Sequence, residues 1–242
     1  MKLIKLDAIG STNDFLKQLS GNEETENFTV VTAENQTHGR GQMGSVWNTQ
    51  KGKNLIMSVL IKDFLIDSQE IFNMNIIVSV AVIQALEYEK IPGLSIKWPN
   101  DIMSDNKKIG GILIENSIKS DGSILSVVGL GLNVNQTEFE DLPRASSLAL
   151  ICNHSFDKDL LLVAIVEKIK HNSGIWQSAS HSLIAAYSDL LFKKDVPAVF
   201  QDNEGNQFMG IIKGVSVYGK LNILHEDDEE REYDIKQIQM LY

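Results

Sequence analysis

KKIGGILIEN, residues 107–116, and SILSVVGLGLNVN, residues 123–135, decide how this chain folds. Both are apolar and strand-length, and the turn residues SDG lie between them. Two such runs joined by a tight turn read as a hairpin, and hairpins pair antiparallel. Gly110 lies inside the first strand; Gly129 and Gly131, two apart and so on one face, lie inside the second. A glycine weakens a strand, so one in its interior usually has a reason. Strict alternation puts Lys108, Gly110 and Ile112 on one face and Lys107, Ile109, Gly111 and Leu113 on the other. The reading is a surface stripped of side chains, against which a flat ligand lies with Lys108 over one end. A bulge beside a hairpin with solvated lysines would use the same residues.

Working outward, KLIKL (2–6), FTVVTA (28–33) and NLIMSVLI (54–61) read as strands, the last buried on both faces. Ser11 and Thr12 open a helix, with Asp14 three residues after Ser11 as in a capping box. Ser68 is expected to cap a helix running to about Lys90. Its apolar run IIVSVAVI, 76–83, is too short for a membrane span, which needs about 20 residues. LSIKW (94–98) is a strand stopped by Pro99, and two helices are expected over 157–172 and 177–192. After Lys194 short strands recur, VPAVFQ, QFMGIIKGV, GKLNILHE and REYDI, separated by DNEGN and YG. The expected plan is α+β: a mixed, mostly antiparallel sheet with helices over 1–192, then a small β-barrel over 193–242.

The 242 residues are 43% hydrophobic and 22% charged, ordinary globular values, and the formal charge is −10. That balance argues against general binding to nucleic acid or to an anionic membrane. Cys152 is the only cysteine, so no internal disulfide is available. The N-terminus MKLIKLDAIG lacks the apolar core of a signal peptide. A cytoplasmic location is expected.

Two further stretches could carry chemistry. In ENQTHGRGQMGSVWN (34–48), Arg40 stands between Gly39 and Gly41, with Gly44 and Trp47 close behind. Glycines let backbone approach a ligand, free amides can form an anion nest, and Arg40 supplies a fork suited to phosphate or carboxylate. Taken alone, such a loop is more often a surface turn. In KWPNDIM (97–103), Asn100 and Asp101 either cap a turn or hold an amide and a carboxylate at a pocket mouth beside Lys97. Ser11, Thr12, Asn13 and Gln36 are polar candidates that singly read as caps or loop. There is no Walker A loop, no GxGxxG opening a helix and no GxSxG. His38 has no companion ligand at metal spacing, and no protein-bound metal is expected.

Together, STN (11–13), ENQTHGRGQMGSVW (34–47), NLIMS (54–58), KWPNDI (97–102), KKIGGILIE (107–115) and GLGLNVN (129–135) resemble the biotin protein ligases in order and rough spacing. The resemblance implies a class II synthetase-like catalytic fold with a small SH3-like C-terminal domain. It implies an ATP-dependent ligase using Mg²⁺ as co-substrate. Biotin is activated as biotinyl-5′-AMP, then passed to a lysine of the carrier domain of a biotin-dependent carboxylase. It implies catalytic roles for Lys108, Arg40 and Asp101. Biotin contacts would come from Ser11, Thr12, Asn13, Gln36, Arg40, Gly41, Gln42, Lys108, Gly110, Gly129 and Gly131. Nucleotide contacts would come from Arg40, Gln42, Trp47, Asn100, Lys108 and Asn133.

One departure stands out: many members carry GRGRxG, and here Gln42 replaces the second arginine. Some members carry a DNA-binding module before the STN motif, which begins here at residue 11, and none is expected. Members are often homodimers, although no sequence stripe establishes one. The competing readings are a lipoate or octanoate ligase or transferase of related fold, and a non-catalytic biotin- or nucleotide-binding module.

Overall fold

The computed structural model describes residues 1–22, 24–64, 70–119, 122–140 and 142–242, with the side chain of residue 43 left aside. Ser68 and most of the SDG turn fall outside these residues. Seven strands form the main sheet: β1 (Leu3–Ile9), β2 (Val30–Gln36), β3 (Leu55–Lys62), β4 (Leu94–Lys97), β5 (Asp101–Ser104), β6 (Lys107–Ile118) and β7 (Ile124–Leu132). Their order is β1-β2-β3-β7-β6-β5-β4. Only β1 and β2 run parallel, because α1 (Thr12–Ser20) crosses between them; every other pair is antiparallel. The Ser11 hydroxyl accepts from the Asp14 amide and so caps α1.

One face of the sheet packs on α2 (Ile71–Tyr88) and α4 (Lys158–Asp189). Ile76, Ile77, Val78, Ala81, Val82 and Ile83 of α2 are fully buried there, each large aliphatic contributing about 1.5–3 kcal/mol. Among the described residues α2 is the one helix long and apolar enough to cross a membrane, and 78% of it is buried in the core. A short α3 (Leu148–Cys152) precedes α4. The two helices expected over 157–192 are joined as α4, with a break at Ala179, whose φ is −131°. On the other face, Leu16 of α1 packs with Val31, Leu60, Leu125 and Val127. That helix covers only part of the face, and the rest opens to a cavity.

The tail carries β8 (Pro197–Asp202), β9 (Gln207–Val215), β10 (Leu221–His225), β11 (Glu230–Tyr233) and β12 (Ile238–Leu241). They form an antiparallel sheet in the order β11-β10-β9-β8-β12, in line with a small SH3-like barrel. Phe200, Ile212, Leu221 and Ile223 of the tail join the same buried cluster as α2 and α4.

β5 departs from the sequence reading, which ended the strand at Pro99. The chain turns at Trp98-Pro99-Asn100 and pairs back on β4, Lys97 opposite Asp101. Three side-chain bonds grip the turn. The buried Tyr187 hydroxyl donates to the Pro99 carbonyl at 2.9 Å, Asn100 Nδ2 donates to the Ile112 carbonyl at 2.7 Å, and Trp98 Nε1 donates to the Gly219 carbonyl of the tail at 3.0 Å.

Candidate active site

β6 and β7 pair with Gly111 opposite Gly131 and Leu113 opposite Gly129. The odd-numbered residues of β7 face α1 and the cavity; the even-numbered ones face α2 and α4. On β6 a bulge breaks the alternation. Ile102 pairs with Gly110 but Met103 with Lys108, which leaves Ile109 as the extra residue. Ile109 and Gly110 thus both turn to the core, and Lys108 returns to the cavity face beside Gly111. This corrects the expectation for Gly110. A Cβ there would stand 3.0 Å from the Gly131 carbonyl and 3.2 Å from Leu132, under the sheet, whereas one on Gly111 would stand 3.6 Å from Lys108 Nζ. The glycine on the cavity face is Gly111.

The other two glycines do face the cavity, but each makes room for a protein side chain. A Cβ on Gly129 would lie 2.5 Å from Asn13 Oδ1, and one on Gly131 would lie 2.6 Å from Trp47 Nε1. The flat group resting on the glycine surface is therefore the Trp47 indole. Its Nε1 is buried without a hydrogen-bond partner, and Lys108 Nζ stands 5.8 Å from its ring.

The glycine loop around Arg40 is a tight turn closed on itself. Gly41 N donates to the Ser45 carbonyl at 2.7 Å, and Trp47 N to the Gly39 carbonyl at 3.0 Å. Those amides are spent within the loop and form no anion nest. A Cβ on Gly39 would strike the Trp47 carbonyl, and one on Gly41 the Ser45 hydroxyl. Only Gly44, with φ +80°, needs glycine for its backbone angle. Gln42 begins a single 3₁₀ turn, Gln42–Gly44, on the cavity wall.

Both expected cations reach the cavity, and both are held by carboxylates. Lys108 Nζ lies 2.6 Å from Asp101 Oδ1. The Lys108 backbone is pinned as well: its amide donates to the Arg144 carbonyl at 2.7 Å and its carbonyl accepts from Ser146 N at 3.0 Å. Arg40 Nη2 lies 2.5 Å from Asp14 Oδ1 and 3.6 Å from Glu115 Oε2. Partial burial works to raise the Glu115 pKa. Hydrogen bonds from Lys17 and Asn13, with the charges of Lys17 and Arg40, outweigh it and hold the carboxyl below its ordinary range.

Thr12 and Gln36 meet at one end of the cavity. Gln36 Oε1 accepts from Thr12 N at 2.8 Å and from Thr12 Oγ1 at 3.0 Å. Ser11 lines the same end while capping α1. Asn100 and Asn133 also line the cavity, but their amide nitrogens are taken by the carbonyls of Ile112 and Ser146, at 2.7 and 3.0 Å. The cavity, of about 930 Å³, runs on to the tail strands. There Tyr242 lies under Lys97 Nζ at 4.9 Å and Arg144 at 4.3 Å. Among the described residues no three His, Cys, Asp or Glu side chains gather as a metal cage.

The sequence reading missed Asp14, Ser58, Gly111 and Glu115. Glu115 was in plain view at the end of KKIGGILIE, but its partners Asn13 and Lys17 lie about a hundred residues away. Gly111 could not be told from Gly110 without the bulge.

The arrangement is that of a ligase catalytic fold: an open sheet face, a loop arginine, a strand lysine and a polar end seat. The solved biotin protein ligase from Aquifex aeolicus in complex with biotin and ATP superposes with a TM-score of 0.82, at 25% identity, covering 99% of this chain and 98% of that one. The family model for the biotin/lipoate A/B protein ligase family matches residues 6–135, and the chain belongs to that family. It is 38% identical over 141 residues to the bifunctional ligase/repressor BirA of Bacillus spizizenii, covering 58% of this chain and 42% of that relative. It is 26% identical over 216 residues to the biotin–[acetyl-CoA-carboxylase] ligase of Mycobacterium tuberculosis, covering 88% and 79%. Against the two BirA proteins of Bacillus, the match spans less than half of each relative's length.

Proposed function

We propose that the chain joins biotin to a lysine of a carboxylase carrier domain, with ATP as the energy source. The observation that carries this reading is the pair of cations, Arg40 from the lid and Lys108 from the bulged strand, on one cavity. Biotin carboxylate and the ATP α-phosphate are both anions. A carboxylate oxygen attacks phosphorus, the bond to pyrophosphate breaks, and biotinyl-5′-AMP forms. Cations placed beforehand offset the repulsion and the charge that develops at phosphorus. Their present carboxylate partners, Asp101 and Asp14, are the contacts a substrate anion would replace.

In the second step the neutral amine of the carrier lysine attacks the acyl carbon and AMP leaves. Asp101, released by Lys108, is suited to take the amine proton. The lid, with Gly41 and Gln42, would keep water from the mixed anhydride. Thr12, Gln36 and Ser11 supply the polar seat for the ureido group. Trp47 is the flat surface for the nucleotide base, after leaving Gly131 or stacking from above it. Mg²⁺ enters as part of the ATP substrate.

Within this reading residues 193–242 form a small domain packed on the catalytic one, and the enzyme works in the cytoplasm; the charge of −10 supports its acting without nucleic acid or an anionic membrane. Incubation with biotin, ATP, Mg²⁺ and a biotin carrier domain, followed by detection of biotinylated lysine, tests it. Absence of transfer would defeat the ligase reading. Adenylate without transfer would favour a binding module, and tighter titration by lipoate than by biotin would favour the lipoate reading.

A further inference from the structure

At the end of the cavity away from Thr12 and Gln36, two cations meet one ring. Lys97 Nζ stands 4.9 Å from the centre of the Tyr242 ring, and the Arg144 guanidinium carbon stands 4.3 Å from it. Phe192 meets the same ring edge-on at 5.2 Å and so fixes its plane. Both cations are tied to the Lys108–Asp101 pair through backbone. Lys97 lies opposite Asp101 in the β4–β5 register, so their side chains share the cavity face. The Arg144 carbonyl accepts from the Lys108 amide at 2.7 Å, and the Pro143 carbonyl beside it accepts from Lys107 Nζ at 2.6 Å.

Lys97 and Arg144 differ from Arg40 and Lys108 in having no counter-ion. Asp101, the carboxylate opposite Lys97, is held by Lys108 at 2.6 Å. Among the described residues, no carboxylate pairs with Lys97 or Arg144, and the Tyr242 ring is what their charged groups meet. Two like charges drawn to one ring repel each other, and an anion between them would turn that repulsion into attraction. In a chain of formal charge −10, an unpaired cation pair on a cavity wall is suited to an anionic ligand.

The reaction delivers such an anion. Phosphorus is attacked in line, so the leaving oxygen lies on the side opposite the attacking carboxylate oxygen. With the ureido group at Thr12 and Gln36 and the biotin carboxylate at Lys108, that side is the Tyr242 end of the cavity. As the carboxylate oxygen bonds to the α-phosphorus, the bond to the bridging oxygen breaks, and its electron pair leaves with pyrophosphate.

We propose that Lys97 and Arg144 form the seat of the leaving pyrophosphate, and that Tyr242 is a positioning residue whose ring holds the two cations in place for it. The role rests on the ligase reading above. It gives the tail a part in the first step alone, because biotinyl-5′-AMP carries neither of the two phosphates this seat would hold.

Biotin-dependent exchange of labelled pyrophosphate into ATP by the full chain tests the role. Arg144→Ala should raise the KM for pyrophosphate about 10–100-fold, the range for a bond to a charged group. Tyr242→Leu should raise it about three- to tenfold, the scale of a cation–π contact, while Tyr242→Phe, which keeps the ring face, should stay within about twofold of the parent. In all three variants, calorimetric biotin affinity and the rate of transfer from supplied biotinyl-5′-AMP to a carrier domain should change by less than about twofold. A ring that only held the tail together would lower both half-reactions alike. Parent-like KM for pyrophosphate in Arg144→Ala or Tyr242→Leu would overturn the proposal, as would an equal loss in the transfer step. A raised KM for the carrier domain with that for pyrophosphate unchanged would also overturn it, and would make the cation pair a docking point for the carrier. Should Tyr242→Leu fail to fold, Tyr242→Met is read by the same rule, and its failure to fold counts against a role confined to pyrophosphate. A parent without biotin-dependent exchange would overturn the ligase reading and this role with it. A parent that exchanges, with KM unmoved in the variants, would overturn this role alone.

Discussion

Two glycine-rich regions face each other across the cavity, the lid loop around Arg40 and the paired strands β6 and β7. Both present a cation, and in both the glycines are mostly there for close approach. In the loop, Gly39 and Gly41 let backbone and hydroxyl pack where a Cβ would stand; in the strands, Gly129 and Gly131 admit Asn13 and Trp47. The difference lies in how each cation is held. Lys108 is pinned by its own backbone to residues 144–146 and paired with one carboxylate. Arg40 sits on a self-bonded turn and is tied only through its side chain, to Asp14 and Glu115. Lys108 is held through backbone and side chain, Arg40 through its side chain alone.

That contrast can be broken at several points. Lys108→Ala should cut adenylate formation about 10²–10³-fold in pyrophosphate exchange, the range for losing one preorganised donor. Arg40→Ala should cost a similar factor, and loss of the loop cation should also shorten the lifetime of bound adenylate. Near-parent exchange rates in either variant would overturn these roles. Gly129→Ala forces Asn13 aside, and overpacking of about 1–3 kcal/mol should appear both in thermal stability and in biotin affinity. Parent-like affinity there would mean that Gly129 is not making room for Asn13.

Smaller changes sharpen the comparison. Gln42→Arg adds a second lid charge and should slow adenylate release about three- to tenfold, with less labelling of a bystander protein. Gly44→Ala meets no atom within 4 Å but must hold φ +80°, so it should cost about 1 kcal/mol in denaturant melts while leaving exchange rates alone. The smallest effect is on pH. A carboxyl whose pKa falls on folding adds stability above its unfolded value, about 4.3 for Glu, and that contribution is lost as pH drops through the lower folded value. Glu115→Gln should thus lie below the parent in melting temperature at neutral pH, with the gap closing in that acid window.

The sheet was legible because its signals are local. Alternation gave the β6–β7 hairpin, Ser11 and Asp14 gave the start of α1, and the apolar run at 76–83 gave the buried helix. What failed needed knowledge of a neighbour. The bulge that exchanges Gly110 for Gly111 arises where β6 meets β5, and β5 itself was hidden behind Pro99. The loop glycines read as room for a ligand because a close contact within the loop leaves no trace in its sequence. Arg40, Lys108, Asp101, Thr12 and Gln36 were named together from motifs in a fixed order, which carry more information than any one alone, and all five line one cavity. Glu115 was missed because its meaning lies in Asn13 and Lys17.

The bond from Trp98 Nε1 to the Gly219 carbonyl has a genetic corollary. Gly219 packs against the Phe72 ring with no room for a side chain, and the turn it holds leads within three residues to Asp101. An allele altered at Gly219 would map to the tail, far in sequence from the motifs within residues 11–135. Its carrier would nonetheless be expected to show the phenotype of a lesion at Asp101, and a screen sorted by sequence neighbourhood would group it with lesions of the tail.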